Sequence, residues 1–157
     1  MKPTAFAPHD HTTCVASGLR AAEAACSEKG LRLTPVRAYV LEVLLREHRA
    51  MGAYEILDEL RKAGFSAQPP QAYRALEFLS DAGLAHRIER LNAFVACTHP
   101  GEAHAPAFMI CRDCGTVAEA EVTDPLGKSA TEAGFQVERA VIEAEGLCPE
   151  CQESPAA

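Results

Sequence analysis

The hydrophobic pattern of the chain changes period after Gly83. Before it, apolar residues recur every three or four positions and predict helices; beyond it they alternate in short runs and predict mainly strands. Residues 1–16 contain Pro3, Pro8, His9 and His11 without a period and are expected to form a mobile arm. Leu19, Ala22 and Cys26 mark a first helix from Ser17 to Lys29, stopped by Gly30. Thr34 before Pro35 is an N-cap followed by proline at the first helical position, and Val36, Tyr39, Val40, Val43 and Leu44 form one apolar face. Ala53, Ile56, Leu57 and Leu60 continue the pattern in a third helix ended by Gly64. A fourth begins at Pro69 and Pro70 and runs to Asp81, with Ala72, Leu76 and Leu79 turned inward. His86 to Cys97 then alternates as two short strands that bend near Asn92.

Four helices followed by a hairpin predict a winged helix over residues 17–97. Its fourth helix turns Gln71, Tyr73 and Arg74 outward near its start, where a helix-turn-helix protein enters the major groove; Arg87 or Arg90 in the wing would reach phosphates. A polar face of this kind occurs on most surface helices, so the pattern alone names no partner. Residues 98–105 read as an interdomain loop, and 106–152 as a small α/β domain, leaving 153–157 as a tail. In that domain we expect strands at 107–111 and 116–122, a helix near 125–133 and a long strand over 135–145. One helix on a small sheet leaves an apolar face that a second subunit would cover, so the α+β chain is expected to form a homodimer.

Composition fits this plan and narrows it. With 157 residues, 48% of them hydrophobic, the chain can bury a core in one domain or two small ones. No apolar run is long enough to cross a bilayer and the first ten residues lack the pattern of a signal peptide, so the expected location is the cytoplasm, where thiols stay reduced. The net charge of −7 is uneven: residues 1–95 hold 12 Lys and Arg against 11 Asp and Glu, residues 96–157 only 3 against 11. The acidic end fits cation binding, while the near-neutral beginning leaves room for a local basic face.

Among seven cysteines, Cys111 with Cys114 and Cys148 with Cys151 form two pairs with two residues between the partners. That spacing, twice, supplies the four ligands of a tetrahedral zinc site. A redox CxxC would normally occur once, at a helix start, whereas these pairs abut the turn formers Gly115 and Pro149. The 33 residues between Cys114 and Cys148 mean that such a site closes a folded segment. Near the expected domain junction, His86, Cys97, His99, His104 and several carboxylates form a second constellation, with His86 and Cys97 at the two ends of one hairpin.

Three runs carry a resemblance. Leu31–Arg32–Leu33–Thr34–Pro35–Val36–Arg37, Pro69–Pro70–Gln71–Ala72–Tyr73–Arg74–Ala75–Leu76 and Phe108–Met109–Ile110–Cys111–Arg112–Asp113–Cys114–Gly115 together resemble the ferric uptake regulator family, and within it the zinc uptake regulators. The resemblance covers roughly residues 17 to 152. It implies that Cys111, Cys114, Cys148 and Cys151 hold a structural zinc and that His86, Cys97, His104 and Glu119 hold a second, regulatory zinc, two per subunit, while His99 is not matched. It also implies that Tyr73 and Arg74 act from the recognition helix on double-stranded operator DNA. Gln71 and Ala72 stand where relatives usually have a small hydroxyl residue and valine, which bears on the operator sequence. The chain lacks the histidine-rich run that iron sensors of the family carry before the first cysteine pair, and the Cys97 thiolate favours zinc over iron or manganese.

The expected function is therefore a zinc-responsive repressor of transcription, with zinc-uptake genes as its targets. Another metal or peroxide sensor of the same family and a zinc-stabilised module that binds no DNA are the alternatives. An enzyme is not expected: there is no HExxH helix, and four protein ligands leave no open position for an activated water.

Overall fold

The computed structural model describes residues 4–6, 10–98, 100 and 107–154. Four helices open the fold: α1 (His11–Glu28), α2 (Pro35–Arg46), α3 (Ala53–Lys62) and α4 (Pro69–Asp81). A hairpin of β1 (Ala85–Ile88) and β2 (Ala93–Ala96) follows, then β3 (Ala107–Cys111), β4 (Val117–Glu119), α5 (Gly127–Ala133), β5 (Ile142–Gly146) and α6 (Pro149–Glu153). This is the expected α+β architecture, a winged helix followed by a small α/β domain.

The helices begin where their caps dictate. Thr34 Oγ1 accepts from the Arg37 N–H at 3.4 Å and Pro35 takes the first helical position of α2, while α4 starts on Pro69 as its two prolines require. The first helix differs from expectation, starting at His11 instead of Ser17. Asp10 caps it, Oδ1 accepting from the Thr12 N–H at 2.9 Å, a start signal hidden by the weak apolar pattern of 11–16. Of the remaining expected arm, Thr4–Phe6 form one 3-10 turn and residues 1–3 and 7–9 lie outside the described ones. α1 packs tightly on α2: a Cβ on Gly18 would meet Leu45 at 2.6 Å, so this crossing accepts no larger residue without displacing the leucine. Val40, Leu44, Ile56, Leu60, Leu76 and Leu79 close the helical core with almost no exposure.

The C-terminal sheet has the order β4-β3-β5, with β4 antiparallel and β5 parallel to the central β3. Two expected strands are shorter than the sequence pattern implied. β4 stops at Glu119, and the Ala120 N–H donates to the Ala107 carbonyl at 2.8 Å just beyond it. The long strand expected over 135–145 pairs only from Ile142; Phe135 and Val137 alternate as a strand would, yet no strand of this chain lies beside them among the described residues, and both are exposed.

The two parts share a second, smaller core. Ile88 and Val95 of the wing pack with Phe108, Ile110 and Val117 of the sheet, all buried. The segment after α2 stitches the same junction: Met51 bridges Phe94 of β2, Arg49 bridges Thr116, and the Val117 N–H donates to the His48 carbonyl at 2.5 Å. His48 could serve the α2 C-terminus from sequence position alone. It lies beyond that helix instead, its ring 5.2 Å from that of His11.

Candidate metal centres and nucleic-acid interface

Cys111 ends β3, Cys114 closes the turn after it, Cys148 precedes α6 and Cys151 lies on α6. Gly115, at φ +76°, lets the chain reverse immediately after Cys114, a conformation costly for other residues. The reversal is pinned by Gly115 N–H to the Cys111 carbonyl at 3.0 Å and Cys111 N–H to the Thr116 carbonyl at 2.9 Å. On the other side, Arg112 N–H donates to the Gly146 carbonyl at 2.9 Å, which brings the segment carrying Cys148 alongside. All four sulfurs lie within 4.8 Å of one another. Cys114 and Cys148 are 3.8 Å apart, the edge of a sulfur tetrahedron with zinc–sulfur bonds of about 2.3 Å.

The electrostatics of this cluster favour a cation. Burial pushes the Cys111 thiol up, but backbone N–H groups of Cys114, Cys148 and Asp113 outweigh it and hold the thiol at about 6. Cys148 N–H to Cys111 Sγ measures 3.4 Å. Cys151 moves the opposite way, raised by its hydrogen bonding to Cys148 and by burial. Four sulfurs in this space cannot all ionise without a positive partner, and a divalent ion that binds thiolates answers both demands.

The second cluster is assembled from both parts of the fold. His86 on β1, Cys97 after β2 and Glu119 at the end of β4 bring three donor atoms within 4.8 Å of one another. His86 pairs with Val95, and the Cys97 N–H donates to the Leu84 carbonyl at 2.9 Å, so His86 and Cys97 are diagonal neighbours on one face of the hairpin. The His86 ring packs 5.5 Å from Phe108, and its Nε2 is 3.4 Å from Glu119 Oε1. Glu119 Oε2 accepts from the Thr98 N–H at 3.0 Å and from its hydroxyl at 2.9 Å. Burial pushes the Glu119 carboxyl up, but His86 and Thr98 outweigh it and hold the carboxyl at about 2, so it is an anion aimed at the site. Imidazole, thiol and carboxylate in one buried corner form a donor set that fits zinc. His104 and His99 both lie outside the described residues.

Thr98 carries no sequence signal beyond standing next to Cys97. Its role depends on where β4 ends, which the residue pattern overestimated.

In the winged helix, α4 presents Gln71, Tyr73 and Arg74 to solvent, with Ala72, Leu76 and Leu79 buried. Gln71 also serves the helix itself, because its Oε1 accepts from the Gln68 N–H at 2.6 Å and caps the first turn. Tyr73 borders a groove with Tyr54, Glu77, Arg87 and Asn92; Tyr54, 66% exposed, is a further outward aromatic that the sequence reading did not single out. Of the two wing arginines, Arg87 donates to Asn92 Oδ1 at 2.8 Å and Arg90 pairs with Glu145 of β5 at 2.9 Å.

A winged helix joined by a shared cluster of donor side chains to a small sheet that carries four clustered thiols is the architecture of a metal-dependent transcriptional regulator. Residues 28–144 match the ferric uptake regulator family, and the chain belongs to that family. It is 42% identical over 139 residues to the zinc uptake regulation protein of Escherichia coli K12, covering 86% of this chain and 81% of that one. A zinc uptake regulator solved with zinc and DNA superposes with a TM-score of 0.84 at 38% identity, over 91% of this chain and 98% of that one. The regulator XcZur, 42% identical, superposes with 0.78 in its holo form, over 87% of this chain and 98% of that one. Its apo form gives 0.53 over 88% and 98%.

Proposed function

We propose that this protein is a zinc-responsive repressor that acts as a homodimer on double-stranded operator DNA, with zinc-uptake genes as its targets. In this reading Cys111, Cys114, Cys148 and Cys151 hold a structural zinc, and His86, Cys97, His104 and Glu119 hold a regulatory one, two per subunit. Residues 17–97 bind DNA and residues 106–152 dimerise. The single observation that carries the reading is the origin of the second cluster: His86 and Cys97 come from the wing and Glu119 from the sheet, within 4.8 Å of one another.

Zinc held there by His86, Cys97 and Glu119 would supply a redox-inert cross-link between the wing and the sheet. The chain's own residues determine what that link controls. Phe108 sets the plane of the His86 ring, and Thr98 fixes the Glu119 carboxylate, so the donors converge only when the wing lies against the sheet. A ligand that binds only this arrangement shifts the population toward it. Tyr73 and Arg74 of the two subunits then stand at a fixed separation, as adjacent half-sites on a duplex require. Better agreement with the DNA-bound and holo relatives than with the apo form supports assigning the arrangement described here to the DNA-competent state. Leu126, Phe135 and Val137, 52%, 67% and 38% exposed on the C-terminal part, support a second subunit as their cover.

The test is duplex binding by the zinc-loaded protein before and after a chelator removes the exchangeable metal, across a range of salt. Loss of specific binding on chelation, with the salt-sensitive nonspecific component retained, is the expected result. Equal operator binding in both forms would overturn the reading. Absence of any salt-sensitive duplex binding would favour a zinc-stabilised module with another partner.

A further inference from the structure

The pairing register fixes which residues of the C-terminal sheet face the wing. Glu119, Phe108 and Glu143 form one row across β4, β3 and β5, and Val117, Ile110 and Glu145 form the next. Residues opposite one another share a face, so the apolar centre that packs on the wing is flanked by carboxylates on both edges. Glu119 on the β4 edge belongs to the metal cluster. Glu143 and Glu145 on the β5 edge have no part in it, and they meet the wing turn instead.

Glu143 accepts from two consecutive backbone donors of that turn, the Glu89 N–H at 2.6 Å and the Arg90 N–H at 3.0 Å, one on each carboxylate oxygen. Arg90 pairs with Glu145 at 2.9 Å, and Arg139 lies 3.6 Å from the Glu89 carboxylate. The Arg90–Glu145 pair is solvent-exposed, and such a pair alone contributes little. Two adjacent N–H groups held by one carboxylate are different: the bonds are charge-assisted and fix direction as well as distance.

We propose that Glu143 and Glu145 form a metal-independent latch for the wing turn, holding the wing to the β5 edge of the sheet through contacts that the metal cluster on the β4 edge does not share. The inference rests on the proposed function only for its consequence in DNA binding; the latch itself needs neither zinc nor DNA. It also makes Arg90 a positioning residue, engaged by the sheet and not by phosphate.

Two measurements on the full-length dimer test it. In the zinc-loaded protein without DNA, Glu143→Ala should raise amide hydrogen exchange at Glu89 and Arg90 at least about tenfold, with α4 amides unchanged to show an intact fold. Glu143→Gln, which keeps one acceptor oxygen, should fall between. Unchanged exchange at both amides in Glu143→Ala would overturn the latch. This arm stands even if operator binding proves independent of zinc, so the two readings fail separately. With operator duplex, R90E and E145R should each weaken binding and the double swap R90E/E145R should recover it, while Arg90→Ala leaves the salt dependence of binding unchanged. A salt slope reduced by roughly one in Arg90→Ala, with no recovery in the swap, would show Arg90 on a phosphate and overturn its positioning role.

Discussion

The two donor clusters of this protein differ less in chemistry than in where their ligands originate. The four thiols come from the end of β3, the turn after it and the start of α6, all within one small domain, held by backbone hydrogen bonds that close around Gly115 and Cys148. His86, Cys97 and Glu119 come from the wing hairpin and the sheet and meet only because Ile88, Val95 and Phe108 pack the one onto the other. A cluster built within one domain can hold that domain's fold, whereas a cluster built between domains holds their orientation. The same metal could therefore be a permanent part of the structure in one place and a signal in the other.

The largest expected effect breaks the first cluster. Cys111→Ser should unfold the C-terminal sheet and dissociate the dimer, because metal binding at a site of this type contributes apparent folding energy of about 10–16 kcal/mol. Sedimentation and circular dichroism would register the loss. Cys97→Ser breaks the second cluster and should behave oppositely: an intact dimer with one fewer zinc per subunit, and operator affinity lower by about a thousandfold or more, toward nonspecific binding. Anisotropy titrations read the affinity. If Cys97→Ser also dissociated the dimer, the division of labour between the clusters would be wrong.

Ile88→Ala sharpens the comparison, since it perturbs the junction without touching a ligand. Ile88 is fully buried, so truncation should cost about 2–5 kcal/mol of stability by thermal melting and should also weaken regulatory-metal binding, leaving the four-thiol cluster loaded. The smallest effect concerns neither cluster. Arg74→Ala should retain both metals and the dimer, weaken operator binding by about 1–3 kcal/mol and relax sequence preference, as a selection of bound duplexes would reveal.

The two clusters were also unequally legible in the sequence. Cys111–Cys114 and Cys148–Cys151 announce themselves because paired ligands reach one ion from a local turn, and local spacing is what a linear reading sees. His86, Cys97 and Glu119 are single residues on separate segments; the residue pattern set His86 and Cys97 at the two ends of one hairpin, and only the family resemblance added Glu119 to them. The helices were legible for the same reason as the cysteine pairs: Thr34–Pro35 and Pro69–Pro70 carry their start signals locally. Ends that depend on a distant partner were misjudged. Residues 120–122 and 135–141 carry strand-like sequence but lie outside β4 and β5, and Asp10 outweighed an unpromising run to begin α1 at His11. Glu143 was invisible for the deepest reason, because its contact with the wing turn follows from a pairing register that no single segment encodes.

One titration tests the division of labour most directly. Operator binding, dimer mass and zinc per subunit are measured in the same samples across a series of buffered free-zinc concentrations. One zinc per subunit and an intact dimer are expected at the lowest free zinc, then uptake of a second zinc in step with the appearance of operator binding. Operator binding that is already complete with one zinc per subunit, or a second zinc that loads without changing it, would contradict the division between clasp and signal.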